Sequence, residues 1–147
     1  MSKKKQAGVA KLFIRVNGYY IFSKKRKRSS PKSDHYLELF GGHINDGESP
    51  RKALIREIEE ELGCIIAAKL KNKRPKPKKI VVDKEDHFIY KVSFDSDDFK
   101  NMRCNTCESY GFEKFEARVI DEQDKLRIKL SCFTTKTRNI FRALRLI

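Results

Sequence analysis

The segment from Ser49 to Gly63 constrains the fold most, because it carries the start and stop signals of a helix together with an apolar stripe. Ser49 and Pro50 are residue types preferred at the N-cap and at the first helical position. Gly63 is the type that most often ends a helix. At about 100° per residue, the large apolar residues between them share an arc of about 100°. These residues are Leu54, Ile55, Ile58 and Leu62. The segment therefore predicts a helix that packs one face against a core.

A second face of the same predicted helix is acidic. Glu57, Glu60 and Glu61 share another arc of about 100°, so their carboxylates are expected side by side. Like charges at these spacings destabilise a helix, and its C-terminal half disfavours anions. Two interpretations are open. One is a solvated acidic face softened by nearby Lys and Arg, and the other is a group of oxygen ligands for Mg²⁺ or Mn²⁺.

The distribution of charge favours the metal-ligand interpretation. The chain has 147 residues and a formal net charge of +14, which suggests a polyanionic or phosphorylated partner. The segment 42–64 nevertheless holds six acids and three bases, so it carries −3 while the rest of the chain carries +17. An acidic patch of this kind is accounted for by a bound cation and a phosphate group that the cation contacts.

The same segment resembles the signature of the Nudix hydrolases. That signature is Gly, five residues, Glu, seven residues and then REUxEExGU, where U is a bulky aliphatic residue. Here Gly42, Glu48 and the run 56–63 supply every fixed residue of the pattern. The sequence departs from the family at Cys64, which takes the last aliphatic position, and at Phe40, where the approach to the two glycines usually carries Pro.

The resemblance implies a metal-dependent pyrophosphohydrolase. Its substrate would be a nucleoside di- or triphosphate or a nucleoside diphosphate derivative, and its cofactor Mg²⁺ or Mn²⁺. Residue by residue, the match makes Glu57, Glu60 and Glu61 the catalytic residues and metal ligands, with the Gly41 carbonyl as a further ligand. Glu60 or Glu61 would also orient or deprotonate the attacking water.

Other residues of the signature are implied to support the site. Arg56, Glu48 and Gly42 would be structural, with the arginine tethering the glutamates by ion pairs. The alternative for Arg56 is an ordinary surface salt bridge. His43, directly after Gly42, is a candidate phosphate contact, and the other substrate-binding residues are open.

An additional base is expected outside this segment, because the family often takes one from a later loop or strand. The candidates are Glu108, Glu113 and Glu116. The run 115–122 resembles the family's late strand leading to an Asp-Glu turn, which favours Glu113 or Glu116. For each of the three, an ordinary surface charge is the alternative.

Alternating apolar residues and turn signals predict strands around the central helix. The predicted strands cover 10–16, 19–23, 36–40, 80–82, 87–94, 112–120 and 125–132. Thr134 or Thr135 is predicted to cap a last helix, whose apolar stripe is Ile140, Phe141, Leu144 and Ile147. The pattern predicts an α+β fold, and the resemblance implies an α/β/α sandwich with a mixed sheet, the signature helix and a C-terminal helix. We expect a basic tail at 1–6 and a single domain at 7–147.

Two Lys- and Arg-rich runs, 24–35 and 69–79, are predicted to be exposed loops. Pro75 and Pro77 are expected to exclude a helix from the second run. Three interpretations of these loops are open. They attract phosphates in general, they bind RNA and make the protein an RNA 5′-end pyrophosphohydrolase or decapping-type enzyme, or they only increase solubility.

Composition and motif content exclude several other classes. No run of about 18 apolar residues exists, so a membrane protein is excluded. Lys11 and Arg15 interrupt the apolar stretch after the basic start, so we expect no secretory signal and a cytoplasmic protein. The CxxC motif at Cys104 and Cys107 has no second copy to complete a zinc site, which favours an ordinary loop over a metal or redox site.

A nucleotide-binding Nudix module without turnover is the remaining alternative of a different class. Such modules generally lose glutamates of the signature, whereas this chain keeps all of them. An enzyme is therefore the expectation.

Overall fold

The structure is a computed structural model that describes residues 8–26, 35–102, 112–118 and 133–145. Seven strands and four helices lie within these residues. The strands are β1 (Val9–Val16), β2 (Tyr19–Arg26), β3 (His35–Glu38), β4 (Phe40–His43), β5 (Lys78–Val82), β6 (Glu85–Phe94) and β7 (Phe112–Arg118). The helices are α1 (Pro50–Leu62), α2 (Cys64–Lys73), α3 (Ser96–Lys100) and α4 (Thr135–Ala143).

One mixed sheet contains all seven strands. Its main path runs β3-β2-β1-β6-β5, while β4 pairs with β1 and β7 pairs with β2. The central strand β1 is antiparallel to β2 and β4 and parallel to β6. The register sets Ala10 opposite Gly42 and Lys11 opposite Gly41. The first strand of the chain therefore lies directly beside the two glycines that precede α1.

Helices cover both faces of the sheet. Each strand contributes to both packed faces, because neighbouring residues of a strand point to opposite faces. Leu12 and Ile14 belong to the buried cluster that contains the apolar stripe of α1 and part of α2. Phe13 belongs to the cluster on the other face, where its ring lies 5.7 Å from that of Phe141 in α4. This arrangement confirms the predicted α+β fold with an α/β/α sandwich.

The predicted boundaries of the central helix are confirmed. Ser49 is the N-cap of α1, and its side chain accepts a hydrogen bond from the Lys52 N–H at 3.1 Å. Gly63 follows the last residue of α1 with a φ of 99°, a conformation that favours glycine. The predicted apolar stripe is buried at Leu54, Ile58 and Leu62 and partly buried at Ile55.

The prediction of a basic loop at 69–79 is wrong at both of its ends. Helix α2 continues to Lys73, because Ile66, Ala67 and Leu70 form its buried face. The two prolines lie beyond the helix, after its C-cap Arg74, which has left-handed backbone angles. Since β5 begins at Lys78, the loop is confined to 74–77.

The other predicted elements are confirmed in part. The run 24–35 is not wholly loop, because 24–26 belong to β2 and His35 begins β3, while 27–34 lie outside the described residues. The strand predicted at 36–40 is divided between β3 and β4, and the one predicted at 112–120 is β7. Thr134 caps α4 as predicted. The tail 1–6, the strand at 125–132, Cys104, Cys107, Glu108 and Ile147 also lie outside the described residues.

Helices α2 and α3 were not predicted, and Cys64, at the last aliphatic position of the signature, is exposed. None of the helices in the described ranges is long and apolar enough to cross a membrane.

An ion pair joins α2 to the short helix α3. The Lys69 Nζ lies 2.5 Å from the Oδ1 of buried Asp98, whose Oδ2 accepts the Asp95 N–H at 3.0 Å. Burial alone would raise the pKa of the Asp98 carboxyl, but Lys69 and the Asp95 N–H outweigh it and hold that pKa below its usual range. The ionised form of Asp98 therefore stabilises the folded chain.

Replacing Asp98 by Ala is expected to lower the free energy of unfolding at pH 7 by about 1–3 kcal/mol. Because the folded-state pKa is lowered, this contribution is present above the ordinary carboxyl pKa of 3.8 and is lost as the pH falls below it. Urea unfolding at pH 7 and at a pH below 3.8 measures this contribution. Asp97→Ala, at the exposed neighbouring position, is the control, and equal midpoints for the two variants at pH 7 would contradict the prediction.

Candidate active site

Two consecutive glycines bring β4 close to β1 and to α1. Gly41 has a φ of 120°, and a Cβ built on it would lie 2.1 Å from the Ala10 carbonyl oxygen. A Cβ on Gly42 would lie 2.7 Å from the Glu57 carboxyl carbon and Oε1. A side chain at Gly41 would therefore meet backbone, whereas one at Gly42 would displace the Glu57 carboxylate.

The first glycine also holds a second carboxylate of α1. The Gly41 N–H donates a hydrogen bond to the Glu61 Oε1 at 3.0 Å, in a partly buried position. The Gly41 carbonyl oxygen in turn accepts a hydrogen bond from the Lys11 Nζ at 3.4 Å. Gly41 therefore contacts both a carboxylate of α1 and an ammonium group of β1.

Arg56 fixes the acidic face through both edges of its guanidinium group. Its Nε and Nη2 donate to the two oxygens of Glu48 at 2.8 and 2.9 Å, and its Nη1 donates to the Glu57 Oε2 at 2.8 Å. The Nη2 also donates to the His43 carbonyl oxygen at 3.0 Å. One side chain thus joins the loop before α1, the end of β4 and a carboxylate of the helix.

These contacts stabilise charged forms at the site. Hydrogen bonds from Arg56, followed by the Asn45 N–H, lower the pKa of the Glu48 carboxyl from 4.5 to about 2. The hydrogen bond to Glu48, and after it the hydrogen bond to Glu57, raises the pKa of the Arg56 guanidinium, although partial burial lowers it. The predicted tether between the arginine and the glutamates is therefore present, and Arg56 is more than an isolated surface salt bridge.

The three carboxylates predicted as metal ligands are held to different degrees. The Glu57 side chain is only 18% exposed and is held by Arg56. The Glu60 side chain is 57% exposed, and its Oε2 is 3.9 Å from the Arg56 Nη1. Glu61 is partly buried and held by Gly41. Among the residues that the structure describes, no three His, Cys, Asp or Glu side chains are already set as a metal cluster.

The donor set at this edge suits a hard divalent cation. Glu57, Glu60 and Glu61 offer only carboxylate oxygens, and Gly41, whose N–H binds Glu61, offers its carbonyl oxygen as a further donor atom. Mg²⁺ is bound by oxygen ligands, usually by a small number of carboxylates while it keeps several waters. The space at Gly42 next to the Glu57 carboxylate is consistent with such a site.

Two of the three candidates for an additional base lie within the described sheet. Glu113 and Glu116 belong to β7, which pairs with β2, and Glu113 lies opposite Phe22. Glu108 lies outside the described residues. The additional base therefore stays a prediction.

The structure adds two residues that sequence reasoning missed. Lys11 is one. Glu85 is the other, because its Oε2 lies 3.9 Å from the Nδ1 of the 67%-exposed His43, while its Oε1 accepts a hydrogen bond from the Lys136 Nζ at 3.3 Å. The signal for Lys11 in the sequence is a cationic residue at a half-buried position of a largely apolar strand, a signal that Arg15 shares. No sequence signal identifies its partner, Gly41, which lies 30 positions away.

Comparisons with known proteins agree with the geometry. The family model described as NUDIX domain matches residues 4–126. No curated protein matches the sequence.

Solved structures show the same fold at low sequence identity. A MutT NUDIX hydrolase from Burkholderia pseudomallei is 19% identical with a TM-score of 0.58, over 96% of this chain and 99% of that one. A NUDIX family hydrolase from Clostridium perfringens is 18% identical with a TM-score of 0.54, over 98% and 99%. An Ap4A hydrolase from C. elegans is 15% identical with a TM-score of 0.50, over 74% and 79%.

Proposed function

This chain belongs to the Nudix hydrolase family, and we propose that it is a metal-dependent pyrophosphohydrolase. Its substrate is a nucleoside di- or triphosphate or a nucleoside diphosphate derivative, and the bond that it cleaves is the diphosphate linkage. The observation that carries the proposal is the arrangement of α1 against β4. There Arg56 holds Glu48 and Glu57, and Gly41 holds Glu61.

Glu57, Glu60, Glu61 and the Gly41 carbonyl would hold Mg²⁺ or Mn²⁺. Such a cation, when bound, neutralises phosphate charge and lowers the pKa of a bound water. The protein's own contribution is to hold the carboxylates in place. The hydrogen bonds of Arg56 restrict the rotamer of Glu57, and the Gly41 N–H restricts that of Glu61.

Glu60 and Glu61 are the proposed residues that orient or deprotonate the attacking water. Both lie on the same face of α1 as Glu57, and Glu60 is the most solvent-accessible of the residues tied to Arg56 by an ion pair. A carboxylate that is accessible to water and ionised at neutral pH can accept a proton from it. The remaining cleavage chemistry takes place on the phosphates.

A second candidate function is hydrolysis at the 5′ end of RNA. It is favoured by the exposure of cationic side chains along one stretch of the described chain. These are Lys71, Lys73, Arg74, Lys76, Lys78 and Lys79. A row of this kind suits a phosphate backbone, and binding through it would weaken steeply with salt.

The test is a panel of substrates with purified protein. It contains nucleoside di- and triphosphates, sugar nucleotides, dinucleotides and 5′-triphosphorylated RNA, each with Mg²⁺, with Mn²⁺ and with a chelator. We expect phosphate or pyrophosphate products from at least one nucleotide with metal, and only the uncatalysed rate with the chelator. Products from RNA alone, with a steep loss at higher salt, would favour the second function. Metal-dependent products from none of them would leave a binding module and refute the enzyme.

A further inference from the structure

A small cavity lies on the face of the sheet opposite α1. Its volume is about 140 Å³, and its lining residues are Phe13, Arg15, Tyr20, Lys91, Val92 and Ser93. Successive residues of β1 alternate between the two faces, and Leu12 and Ile14 pack with α1. Phe13 and Arg15 therefore point to the other face, away from the helix that carries the carboxylates.

The pairing of three strands brings the polar lining residues together. Arg15 of β1 stands opposite Tyr20 of β2 and opposite Ser93 of β6, and Phe13 stands opposite Lys91 of β6. Residues that are directly opposite, and residues two positions apart on one strand, share a face of the sheet. Arg15, Lys91 and Ser93 are therefore neighbours around one opening, with the buried Phe13 and Tyr20 beneath them.

The two cations of this cavity have no anionic partner among the described residues. The half-buried Arg15 guanidinium lies 6.0 Å from the centre of the Tyr20 ring, at the outer limit of a cation–π contact. Within the described ranges, neither Arg15 nor Lys91 forms an ion pair or donates a hydrogen bond. The lining contains no acidic residue. Because partial burial of a charge is unfavourable without a compensating anion or acceptor, the cavity favours an anionic ligand.

A phosphate group suits these donors. An arginine binds phosphate oxygens through two parallel hydrogen bonds, a lysine adds a compact positive charge, and a serine hydroxyl is a further donor. A bound water needs roughly 10–15 Å³, so a cavity of about 140 Å³ has room for a group the size of several waters. Lys91 and Ser93 are exposed, which leaves the cavity open to solvent.

A further cation extends the same face toward the edge of the sheet. Lys78 of β5 stands opposite Ile89, which lies two positions before Lys91 on β6, so Lys78 and Lys91 share a face. Lys78 is exposed and belongs to the row of cations between 71 and 79. Two sources therefore supply a phosphate group to the cavity: a free phosphate compound, or a nucleic acid whose backbone continues along this row.

We propose that this cavity is a phosphate-binding site formed by Arg15, Lys91 and Ser93. Arg15 lies four residues, about 13 Å, along β1 from Lys11, which stands beside Gly41. The cavity shares no residue with the carboxylate edge of α1. Phosphate binding there is therefore independent of the proposed hydrolysis and needs no metal ion.

The test titrates the nitrogen-15-labelled full chain with sodium phosphate and follows the backbone amide signals by NMR. A chelator is present throughout and removes the metal ion that the carboxylate edge would need to hold a phosphate. We expect a saturable shift of the signals of Arg15, Lys91 and Ser93. The signals of Gly41 and Gly42 should stay in place.

Three variants measure what each cation contributes. Arg15→Met should weaken phosphate binding about tenfold or more, because hydrogen bonds to charged groups are lost. Lys91→Met, at an exposed position, should weaken it about two- to fivefold. Lys100→Met is the control, since Lys100 is an exposed lysine of α3 that does not line the cavity, and we expect it to match the wild type.

An oligonucleotide of six thymidines without a terminal phosphate identifies the source of the phosphate group. If it binds more tightly than free phosphate, loses affinity steeply with salt and binds more weakly to Lys78→Met, the ligand is a nucleic-acid backbone. If it binds no more tightly than free phosphate, the ligand is a small phosphate compound. Both results support the site.

Three other results would overturn the site. One is the lack of a saturable shift at Arg15, Lys91 and Ser93 with either probe, and another is a shift confined to Gly41 and Gly42. The third is an unchanged affinity in Lys91→Met or in a folded Arg15→Met. Thermal unfolding shows whether Arg15→Met is folded, and Lys91→Met decides the outcome where it is not.

Discussion

Glu60→Gln and Glu61→Gln variants are each expected to lose activity by about 10²- to 10⁴-fold in kcat, the usual contribution of a positioned acid or base. Glutamine keeps the size and the acceptor oxygen of the side chain and removes its charge. At Glu61 the acceptor for the Gly41 N–H is therefore retained. The loss should appear in catalysis rather than in folding, and the steady-state rate on the nucleotide found in the panel measures it.

The same helix provides the matched control for these variants. Glu59 is exposed and, at about 100° per residue, lies about 100° around α1 from Glu60 and about 160° from Glu61. Glu59→Gln removes one negative charge from the same helix, and we expect it to keep the wild-type rate. Thermal unfolding of all three variants should remain within a few degrees of the wild type. Full activity in both Glu60→Gln and Glu61→Gln would refute the proposed catalytic roles.

Local signals account for the parts of the site that the sequence predicts. Ser49 and Gly63 determine where α1 begins and ends, and the spacing from Glu48 to Arg56 lets the two side chains meet across the first turns of the helix. The carboxylate face follows from helical periodicity alone. No long-range contact has to be known for any of these features.

The sequence did not predict α2, because the lysine-rich composition of this segment indicates an exposed loop, whereas its buried apolar residues favour a helix. Three lysines and an asparagine in 64–73 suggested an exposed segment, but Ile66, Ala67 and Leu70 repeat at helical spacing and pack into the core. Burial of an apolar face stabilises a helix more than lysines on the other face oppose it. The prolines limited the helix only from 74 onward, since proline disfavours helix at its own position and just before it.

Contacts between segments that are far apart in the chain could likewise not be predicted from the sequence. The position of Lys11 beside Gly41 depends on the register between β1 and β4. A shift of this register by one residue would turn the Lys11 side chain to the other face of the sheet. The same holds for Glu85, which reaches His43 from the first residue of β6. Neither the pairing of these strands nor their register is written in the local pattern of either strand.

Replacing Arg56 by Met is expected to lower kcat/KM by about 100-fold, at the upper end of what loss of a supporting residue costs a metal site. The variant releases Glu57 and leaves its carboxylate without the donor that fixes it. Arg56→Lys should recover only part of the activity, because an ammonium group cannot reproduce the two-pronged contact with Glu48. Arg51→Met is the control, since the Arg51 guanidinium contacts the Lys71 carbonyl oxygen and no carboxylate of the site. A similar kcat/KM in Arg56→Met and Arg51→Met would contradict this role.

The charge of Glu48 provides a second measurement on the same variant, independent of turnover. In the wild type the pKa of Glu48 is lowered from 4.5 to about 2, chiefly by Arg56, so the ionised pair stabilises the fold above pH 4.5. This contribution is lost progressively as the pH falls from 4.5 toward 2, because the unfolded chain binds the proton first. In Arg56→Met the pKa of Glu48 should return toward 4.5, which carbon-13 NMR titration of the carboxyl can follow. The difference in unfolding free energy between wild type and variant should then be largest near neutral pH and shrink toward pH 2, whereas an arginine that only covers the surface would give a difference independent of pH in this range.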